Sequence, residues 1–290
     1  MGEYSKEKLK ELLRDLAKDE IRVSYRKAVE PVPACGSRIG GKPAVPDGFV
    51  WPRYKGKSYD SITKERPLSF MAQINLEDVA DLDAEGLLPK TGLLSFFYEQ
   101  MSMPWGFSVK DRGCARVYYF PETENLIPMD IPGDMEDGGA MPELALAFEK
   151  HISFPEITDL PEDIAGMDFE YYDYEECRRE CGYSCDEWGD VTKLLGYPDT
   201  IQNSMEDECE SLARGYSRGC PEDFARIPKD ELEDIYEKSR DWMLLFQMGT
   251  VEGDDFEYMF GDCGHIYFWI KRQDLKNLIF DNVWLILQCC

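Results

Sequence analysis

The chain has 290 residues, of which 43% are apolar and 13% aromatic, and this composition provides enough apolar side chains to form a buried core. Wholesale disorder is therefore excluded. The net charge of −26 repels nucleic-acid phosphates and anionic lipid headgroups, so we expect neither nucleic acid nor a membrane as partner. The longest apolar stretches also fall well short of the roughly 20 residues that a membrane-spanning helix needs.

The negative charge lies almost entirely in the second part of the chain. Residues 1–110 contain 17 Lys and Arg against 16 Asp and Glu, whereas residues 111–290 contain 15 against 42. A surface with such an excess of carboxylates attracts basic partners, although acidity also serves solubility alone. The sequence leaves both interpretations open.

The chain begins with a pattern typical of an amphipathic helix followed by a strand. Leucines at positions 9, 12, 13 and 16 form one apolar stripe, and Ser5 is suited to cap the helix, so we predict a helix from about Ser5 to Glu20. The alternation from Ile21 to Val29 predicts a half-buried strand. The charged N-terminal pattern is not typical of a secretory signal, so we expect a cytoplasmic protein. In that compartment the ten cysteines are expected to be reduced.

The next hundred residues are predicted to be a loop region followed by three strands. Residues 31–56 contain too many glycines and prolines for a long regular element. Apolar runs then predict strands at Leu68–Ile74, Gly92–Tyr98 and Arg116–Phe120, with Asn75 capping a short helical turn.

An acidic segment separates this region from the last hundred residues. Between Glu156 and Asp190 there are 13 acidic residues and two basic ones, interleaved with aromatic residues that give the segment something to bury. We therefore expect a helical acidic insertion over approximately residues 134–190, packed on the surface of the protein.

Several short motifs of the first half of the chain recur in the same order in the second half. Phe70-Met71-Ala72-Gln73-Ile74 matches Leu244-Leu245-Phe246-Gln247-Met248, and the strand led by Gly92 matches the one led by Gly264. The loop at Gly41-Lys42-Pro43 matches Gly196-Tyr197-Pro198. We predict internal half-repeats at approximately residues 36–120 and 191–290 within one domain covering residues 1–290.

Six short motifs in a fixed order carry a resemblance to a known family. They are Gly40-Gly41-Lys42-Pro43, Trp51-Pro52, Phe70-Met71-Ala72-Gln73-Ile74-Asn75, Leu88-Pro89-Lys90-Thr91-Gly92-Leu93-Leu94-Ser95-Phe96-Phe97, Leu195-Gly196-Tyr197-Pro198, and Gly261-Asp262-Cys263-Gly264 with its following strand. Together they resemble the YwqG-like family of bacterial proteins, a domain of unknown function, over roughly residues 36–290. The resemblance implies a compact α+β protein with no assigned cofactor and no agreed catalytic residues.

Two further patterns suggest chemistry that the sequence does not support. The segment from Gly36 to Pro43 has the spacing of a phosphate-binding loop, but Pro43 stands where a Ser or Thr should bind magnesium and open a helix. Cys177, Cys181 and Cys185 recur every four residues, which matches no standard zinc or iron–sulfur spacing. We therefore expect no metal and no cofactor, and we assign no catalytic residue.

Gln73 and Gln247 each interrupt an apolar strand, and a buried amide must find hydrogen-bond partners. They either pin a neighbouring loop or line a ligand cleft between the halves. For such a cleft the candidate lining residues are Trp51, Gln73, Gln247 and Asp262.

The predicted fold class is α+β, with an N-terminal helix, two related and mostly antiparallel sheet units, and the helical acidic insertion. The leading functional hypothesis is a non-enzymatic binding protein whose acidic surface meets a basic protein partner, in the manner of an immunity protein. The alternative is a small-molecule-binding protein or an enzyme that uses the cleft between the halves.

Overall fold

The computed structural model describes residues 5–57, 61–165, 169–184 and 191–290. Up to residue 153 it contains one helix and ten strands. These elements are α1 (Lys6–Leu16), β1 (Lys18–Lys27), β2 (Arg38–Ile39), β3 (Ala44–Val45), β4 (Arg53–Lys57), β5 (Thr63–Pro67), β6 (Ser69–Asn75), β7 (Leu93–Tyr98), β8 (Ala115–Phe120), β9 (Ile127–Pro128) and β10 (Leu144–Ser153).

The remaining described residues add six helices and six strands. They are α2 (Glu162–Ala165), α3 (Tyr171–Glu180), β11 (Lys193–Leu194), α4 (Glu206–Ala213), α5 (Pro221–Phe224), α6 (Lys229–Ser239), β12 (Trp242–Met248), β13 (Val251–Gly253), β14 (Phe256–Tyr258), β15 (His265–Lys271), α7 (Arg272–Lys276) and β16 (Trp284–Gln288). Short 3₁₀ turns occur at Leu76–Asp78, Val109–Asp111 and Ile157–Asp159. None of the described helices is both long and apolar enough to cross a bilayer.

Ten strands form one antiparallel sheet in the order β16-β15-β12-β11-β1-β10-β2-β6-β7-β8. The long strands β1 and β10 pair over their whole length at its centre. On each side of this central pair lies a two-residue strand, and beyond it lie three longer strands that are neighbours in the same order as in the chain. The protein therefore has the predicted α+β class, and its two expected sheet units are the two ends of one continuous sheet.

The sheet curls so that one face of each end packs against the other. Strands β7 and β12 lie six inter-strand steps apart, about 29 Å along a flat sheet. The ring centroid of Phe96 on β7 nevertheless lies 4.6 Å from that of Phe246 on β12 and 5.2 Å from that of Phe268 on β15. All three rings are fully buried, and each contributes roughly 1.5–3 kcal/mol to the stability of the core.

A loop from the first half covers the outer edge of the sheet at β16. The Leu287 amide donates to the carbonyl oxygen of Trp105 at 2.9 Å, and the Trp284 indole nitrogen donates to the carbonyl oxygen of Gly106 at 2.8 Å. A β-carbon on Gly106 would lie 1.9 Å from the carbonyl oxygen of Leu285, so only glycine permits this approach. The edge strand is thereby protected from pairing with other chains.

The N-terminal helix is present and is shorter than predicted. The Ser5 hydroxyl accepts a hydrogen bond from the Lys8 amide at 3.2 Å, so Ser5 caps the helix as expected. The predicted end at Glu20 is wrong, because the helix ends at Leu16 and β1 begins at Lys18. Glu20 is buried in an ion pair with another strand, a long-range contact that no local pattern reveals.

The range expected as an acidic insertion is only partly an insertion. Residues 144–153 form the central strand β10, so residues outside the main sheet begin after Ser153. Helix α3 packs on α1 through an apolar cluster that includes Leu9, Leu13, Tyr174 and Cys177. The predicted burial of aromatic residues in this segment therefore holds for Tyr174, which is fully buried.

Candidate functional site

The two strand glutamines, on opposite sides of the sheet centre, each donate two hydrogen bonds from the amide nitrogen and accept one backbone N–H at the amide oxygen. The Gln73 amide nitrogen donates to the carbonyl oxygens of Ala34 and Gly36, and its oxygen accepts from the Ala44 amide, all at 2.8–2.9 Å. Both strands carry a bulge two residues before the glutamine, at Met71 and Leu245. Gln73 therefore pins the loop that contains the Gly40-Gly41 turn.

Gln247 pins the corresponding loop of the second half. Its amide nitrogen donates at 2.8 Å to the Val191 carbonyl oxygen and to Oδ2 of Asp199, and its oxygen accepts from the Asp199 amide at 2.9 Å. The two glutamines lie five inter-strand steps apart, about 24 Å along the sheet. Both amides are buried and engaged, so the observed role is loop pinning, the first of the two interpretations of the sequence.

The other two candidate lining residues lie elsewhere. Trp51 is almost fully buried, donates its indole N–H to the Leu68 carbonyl oxygen at 2.8 Å and packs edge-on against Phe97. Asp262 is exposed in the turn before β15, where its carbonyl oxygen accepts from the Cys290 amide at 3.2 Å. The structure therefore distributes the four residues over separate places instead of gathering them into one cleft.

A buried charged network, the Lys193 network, lies between β1, β11 and the loop after β11. The Lys193 ammonium, whose side chain is 1% exposed, lies 2.9 Å from Oε2 of Glu20 and 2.6 Å from Oδ2 of Asp199. Arg22 donates from Nε to the other oxygen of Glu20 at 2.7 Å. Sequence reasoning missed this network, although a lone lysine inside the apolar run Val191 to Leu195 is a signal for a paired buried charge.

Burial and ion pairing oppose each other in the Lys193 network. Burial disfavours the charged form of Lys193, but the charges of Asp199 and Glu20 outweigh it and raise the pKa of the ammonium. Burial likewise acts to raise the pKa of Asp199, and Lys193 together with Gln247 outweighs it and lowers that pKa. The lysine and Asp199 thus remain ionised at neutral pH, and the network fastens two strands and a loop together.

The first half has a counterpart of this network. Arg38 occupies the position on β2 that Lys193 occupies on β11, and it pairs with Glu143 at 2.7 Å. Its guanidinium also donates to the carbonyl oxygens of Pro33 and Ala34.

The segment from Gly36 to Pro43 has the spacing of a phosphate-binding loop, and such a loop requires a helix directly after it. The short strand β3 follows the Gly40-Gly41 turn instead.

The regularly spaced cysteines lie partly in the interface between α1 and α3. Cys177 and Cys181 face this interface, and burial raises the pKa of both thiols. Cys185 lies outside the described residues. Among the described residues, no three or more His, Cys, Asp and Glu side chains are grouped so that they could hold a metal ion, and no disulfide joins two of the nine described cysteines.

The carboxylates of α3 are largely neutralised within the chain. Glu176 and Glu180 pair with Lys6 and Lys10 of α1, the latter pair at 2.9 Å. Arg178 lies 3.1 Å from Glu175 and 3.2 Å from Glu156. Helix α3 is therefore held to the N-terminal helix by opposite charge, and three of its carboxylates, Glu175, Glu176 and Glu180, are paired within the chain.

Helix α6 presents unpaired carboxylates instead. Its exposed face, here called the carboxylate stripe, consists of residues spaced i, i+3, i+4 and i+7: Asp230, Glu233, Asp234 and Glu237. Asp234 pairs with Arg214 at 2.6 Å, and the other three form no ion pair with a described residue. The opposite face of α6 carries the buried Ile235 and packs on α4.

Comparison with known proteins identifies the family of the chain and nothing more specific. No curated protein matches it. The model of one family, described as a domain of unknown function (DUF1963), matches residues 37–289, from the loop before β2 through the edge strand β16. The match covers both ends of the sheet, including both pinned loops. The chain belongs to the DUF1963 family.

Proposed function

We propose that this protein is a non-enzymatic binding protein that uses the carboxylate stripe of α6 to hold a basic protein partner. The observation that carries the proposal is that three of the four stripe carboxylates are exposed and have no ion-pair partner among the described residues, whereas Glu176 and Glu180 of α3 pair with α1. A basic side chain of a partner that loses its water at such a surface gains charge-assisted hydrogen bonds with the carboxylates.

The stripe also works against the stability of the helix that carries it. Glu233 forms like-charge pairs with Asp230 at i, i+3 and with Glu237 at i, i+4, and each such pair destabilises a helix by about 0.2–0.5 kcal/mol, whereas Arg214 offsets the charge of Asp234. Glu237 lies in the last turn, where a negative charge also opposes the helix dipole. A basic partner relieves these repulsions on binding, and residues that lower stability in this way are typical of functional surfaces.

Two finer assignments belong to the same proposal. The ordered motifs support placing the chain with the YwqG-like proteins of the family. The net charge of −26 supports the finer proposal of a cytoplasmic protein that neutralises a basic toxin, as immunity proteins do.

The proposal is tested by crosslinking in a cell lysate at low salt, with identification of captured proteins by mass spectrometry. The test variant neutralises the stripe through Asp230→Asn, Glu233→Gln, Asp234→Asn and Glu237→Gln. A control variant changes the net charge equally in the first half through Asp47→Asn, Glu77→Gln, Glu122→Gln and Glu124→Gln, four exposed carboxylates. A direct partner is a basic protein whose crosslinks map to α6.

We expect the wild type and the control variant to capture the same basic protein, and the stripe variant to lose it. Capture should also weaken as salt is raised, because exposed charges are screened. Equal capture by the stripe variant, or capture of no basic protein by any of the three, would overturn the proposal.

A further inference from the structure

A second feature, separate from the carboxylate stripe, is a cavity of about 520 Å³ on the helical side of the sheet. It opens where the first residue of β1 meets the 3₁₀ turn at Ile157–Asp159, the start of α4, the end of α6 and the start of α7. We call it the polar pocket. Its charged lining residues are Lys18, Arg240, Arg272, Asp159, Glu206 and Asp207.

The basic groups of the polar pocket have no ion-pair partner among the described residues. Lys18 and Arg272 are both partly buried, and the Lys18 ammonium lies 3.7 Å from the centre of the Tyr197 ring. Burial, followed by the nearby charge of Arg272, lowers the pKa of Lys18. Two like charges therefore face the same pocket, and the charge of Glu206 offsets only part of the effect of burial and of Arg272 on Lys18.

Of the three acidic residues that line the polar pocket, two have no cationic partner among the described residues. Asp207 is neutralised by Arg218 at 2.8 Å, whereas Asp159 has the Ser204 and Thr158 hydroxyls as side-chain partners and Glu206 accepts from the Met205 amide at 3.2 Å. Burial raises the pKa of both Asp159 and Glu206; the charge of Asp207 adds to this effect at Asp159, and the charge of Asp159 adds to it at Glu206. These two carboxyl groups lack a cation within ion-pair distance in the described part of the chain.

Two buried apolar side chains also form part of the wall of the polar pocket. Leu160 and Trp242 line it and are more than nine-tenths buried. The indole N–H of Trp242 already donates to Oε2 of Glu210 at 2.9 Å, so this side chain offers the pocket its apolar ring. Binding pockets commonly combine such apolar walls with a few convergent polar groups.

We propose that the polar pocket binds a small zwitterion of the α-amino acid type with an apolar side chain. Its carboxylate lies between Lys18 and Arg272, and its ammonium lies at Glu206 and Asp159. One dipolar molecule supplies an anion to the two basic groups and a cation to the two carboxyl groups at once. A ligand with net negative charge would instead be repelled by a protein of net charge −26, and a purely cationic one would leave Lys18 and Arg272 uncompensated.

The proposal is tested by isothermal titration calorimetry with matched probes. L-leucine carries both charges, N-acetyl-L-leucine lacks the ammonium, and L-leucinamide lacks the carboxylate. The dipeptide L-leucyl-L-leucine separates the two charges further and distinguishes a free amino acid from a peptide terminus pair. We expect saturable binding of leucine and at least about tenfold weaker binding of both blocked analogues, because each loses a charge-assisted contact.

Variants assign each end of the ligand to its side of the polar pocket. Arg272→Gln should abolish the preference for leucine over leucinamide, and Glu206→Gln should abolish the preference for leucine over N-acetyl-leucine. Lys276→Gln, on the same helix as Arg272 and outside the polar pocket, serves as the control and should leave all affinities unchanged. Thermal melting confirms that each variant folds, and Arg272→Lys should restore binding in part because it keeps the charge.

The proposal is overturned if neither leucine nor the dipeptide gives a saturable heat at millimolar concentration. It is also overturned if leucine binds and both variants keep the full preference over the blocked analogues. These outcomes are independent of the crosslinking result, because the stripe variant leaves every charged lining residue of the polar pocket unchanged.

Discussion

Removal of the Lys193 ammonium provides a direct test of the buried network. Lys193→Met keeps the length of the side chain and deletes its charge, which leaves Glu20 paired with Arg22 alone and Asp199 with Gln247 alone. Breaking a buried ion pair by removing one partner destabilises proteins by about 3–5 kcal/mol. We expect a loss of that size in the free energy of unfolding at pH 7, a large share of the 5–15 kcal/mol typical of a folded domain.

The pH dependence of this loss has a definite sign. In the wild type the pKa of Asp199 is lowered, so its contribution is present above the unfolded-state pKa of about 3.9 and is lost as pH falls through the folded-state value. Without Lys193, burial dominates and raises the pKa of Asp199, and protonation then stabilises the folded variant. The difference in stability between wild type and variant should therefore narrow from pH 7 toward pH 4.

The measurement is urea unfolding followed by tryptophan fluorescence at several pH values. Lys42→Met is the control, because Lys42 and its partner Asp130 form an exposed pair. We expect no resolvable loss in the control. A loss below about 1 kcal/mol for Lys193→Met at pH 7, or a difference that widens on acidification, would refute the role assigned to the network.

Three further predictions concern other buried groups. Burial and the charge of Asp207 raise the pKa of Glu208 to about 8, so ionisation of this carboxyl group lowers the stability of the fold as pH rises from about 4.3 to 8. Glu208→Gln should therefore increase the free energy of unfolding relative to wild type at pH 8, and increase it less at pH 5. An equal increase at both pH values, measured by urea unfolding, would contradict this. Gln73→Leu and Gln247→Leu should each lower the free energy of unfolding by about 2–4 kcal/mol, because each leaves buried backbone groups without a hydrogen-bond partner. A decrease of less than about 1 kcal/mol would contradict this and show that water takes over the hydrogen bonds of the side-chain amide. In a Cys185→Ser background, the exposed cysteines should react with a chromogenic disulfide faster than the buried cysteines do, and mass spectrometry identifies which cysteines have reacted. Equal reaction rates for exposed and buried cysteines would contradict this prediction and indicate local opening of the fold.

Local patterns in the sequence identified most of the local structure. The Ser5 cap, the Asn75 cap and the apolar strands around Gln73 and Gln247 all occur where predicted, because capping and alternation depend on neighbouring residues. The end of the first helix was placed four residues too late, because Glu20 takes its conformation from a strand partner far away in the chain.

The functional candidates were less predictable. The sequence indicated that the two glutamines occupy matching positions, and their hydrogen bonds then showed two loops pinned separately, about 24 Å apart along the sheet. The sequence placed the excess negative charge in residues 111–290 as a whole; the structure pairs Glu176 and Glu180 of α3 with α1, whereas three carboxylates of α6 have no ion-pair partner among the described residues. Charge counts along a chain do not show which charges meet in the fold.

The sequence by itself determined the α+β class, the caps, the longer strands on either side of the sheet and the uneven distribution of charge. The tertiary structure alone decided that β1 and β10 join these strands into one sheet, that Lys193 meets Glu20 across 173 positions, and that the polar pocket gathers residues from six elements. The physical reason is that periodicity and capping are local interactions, whereas strand order and charge pairing follow from contacts between distant segments that form only when the core is buried.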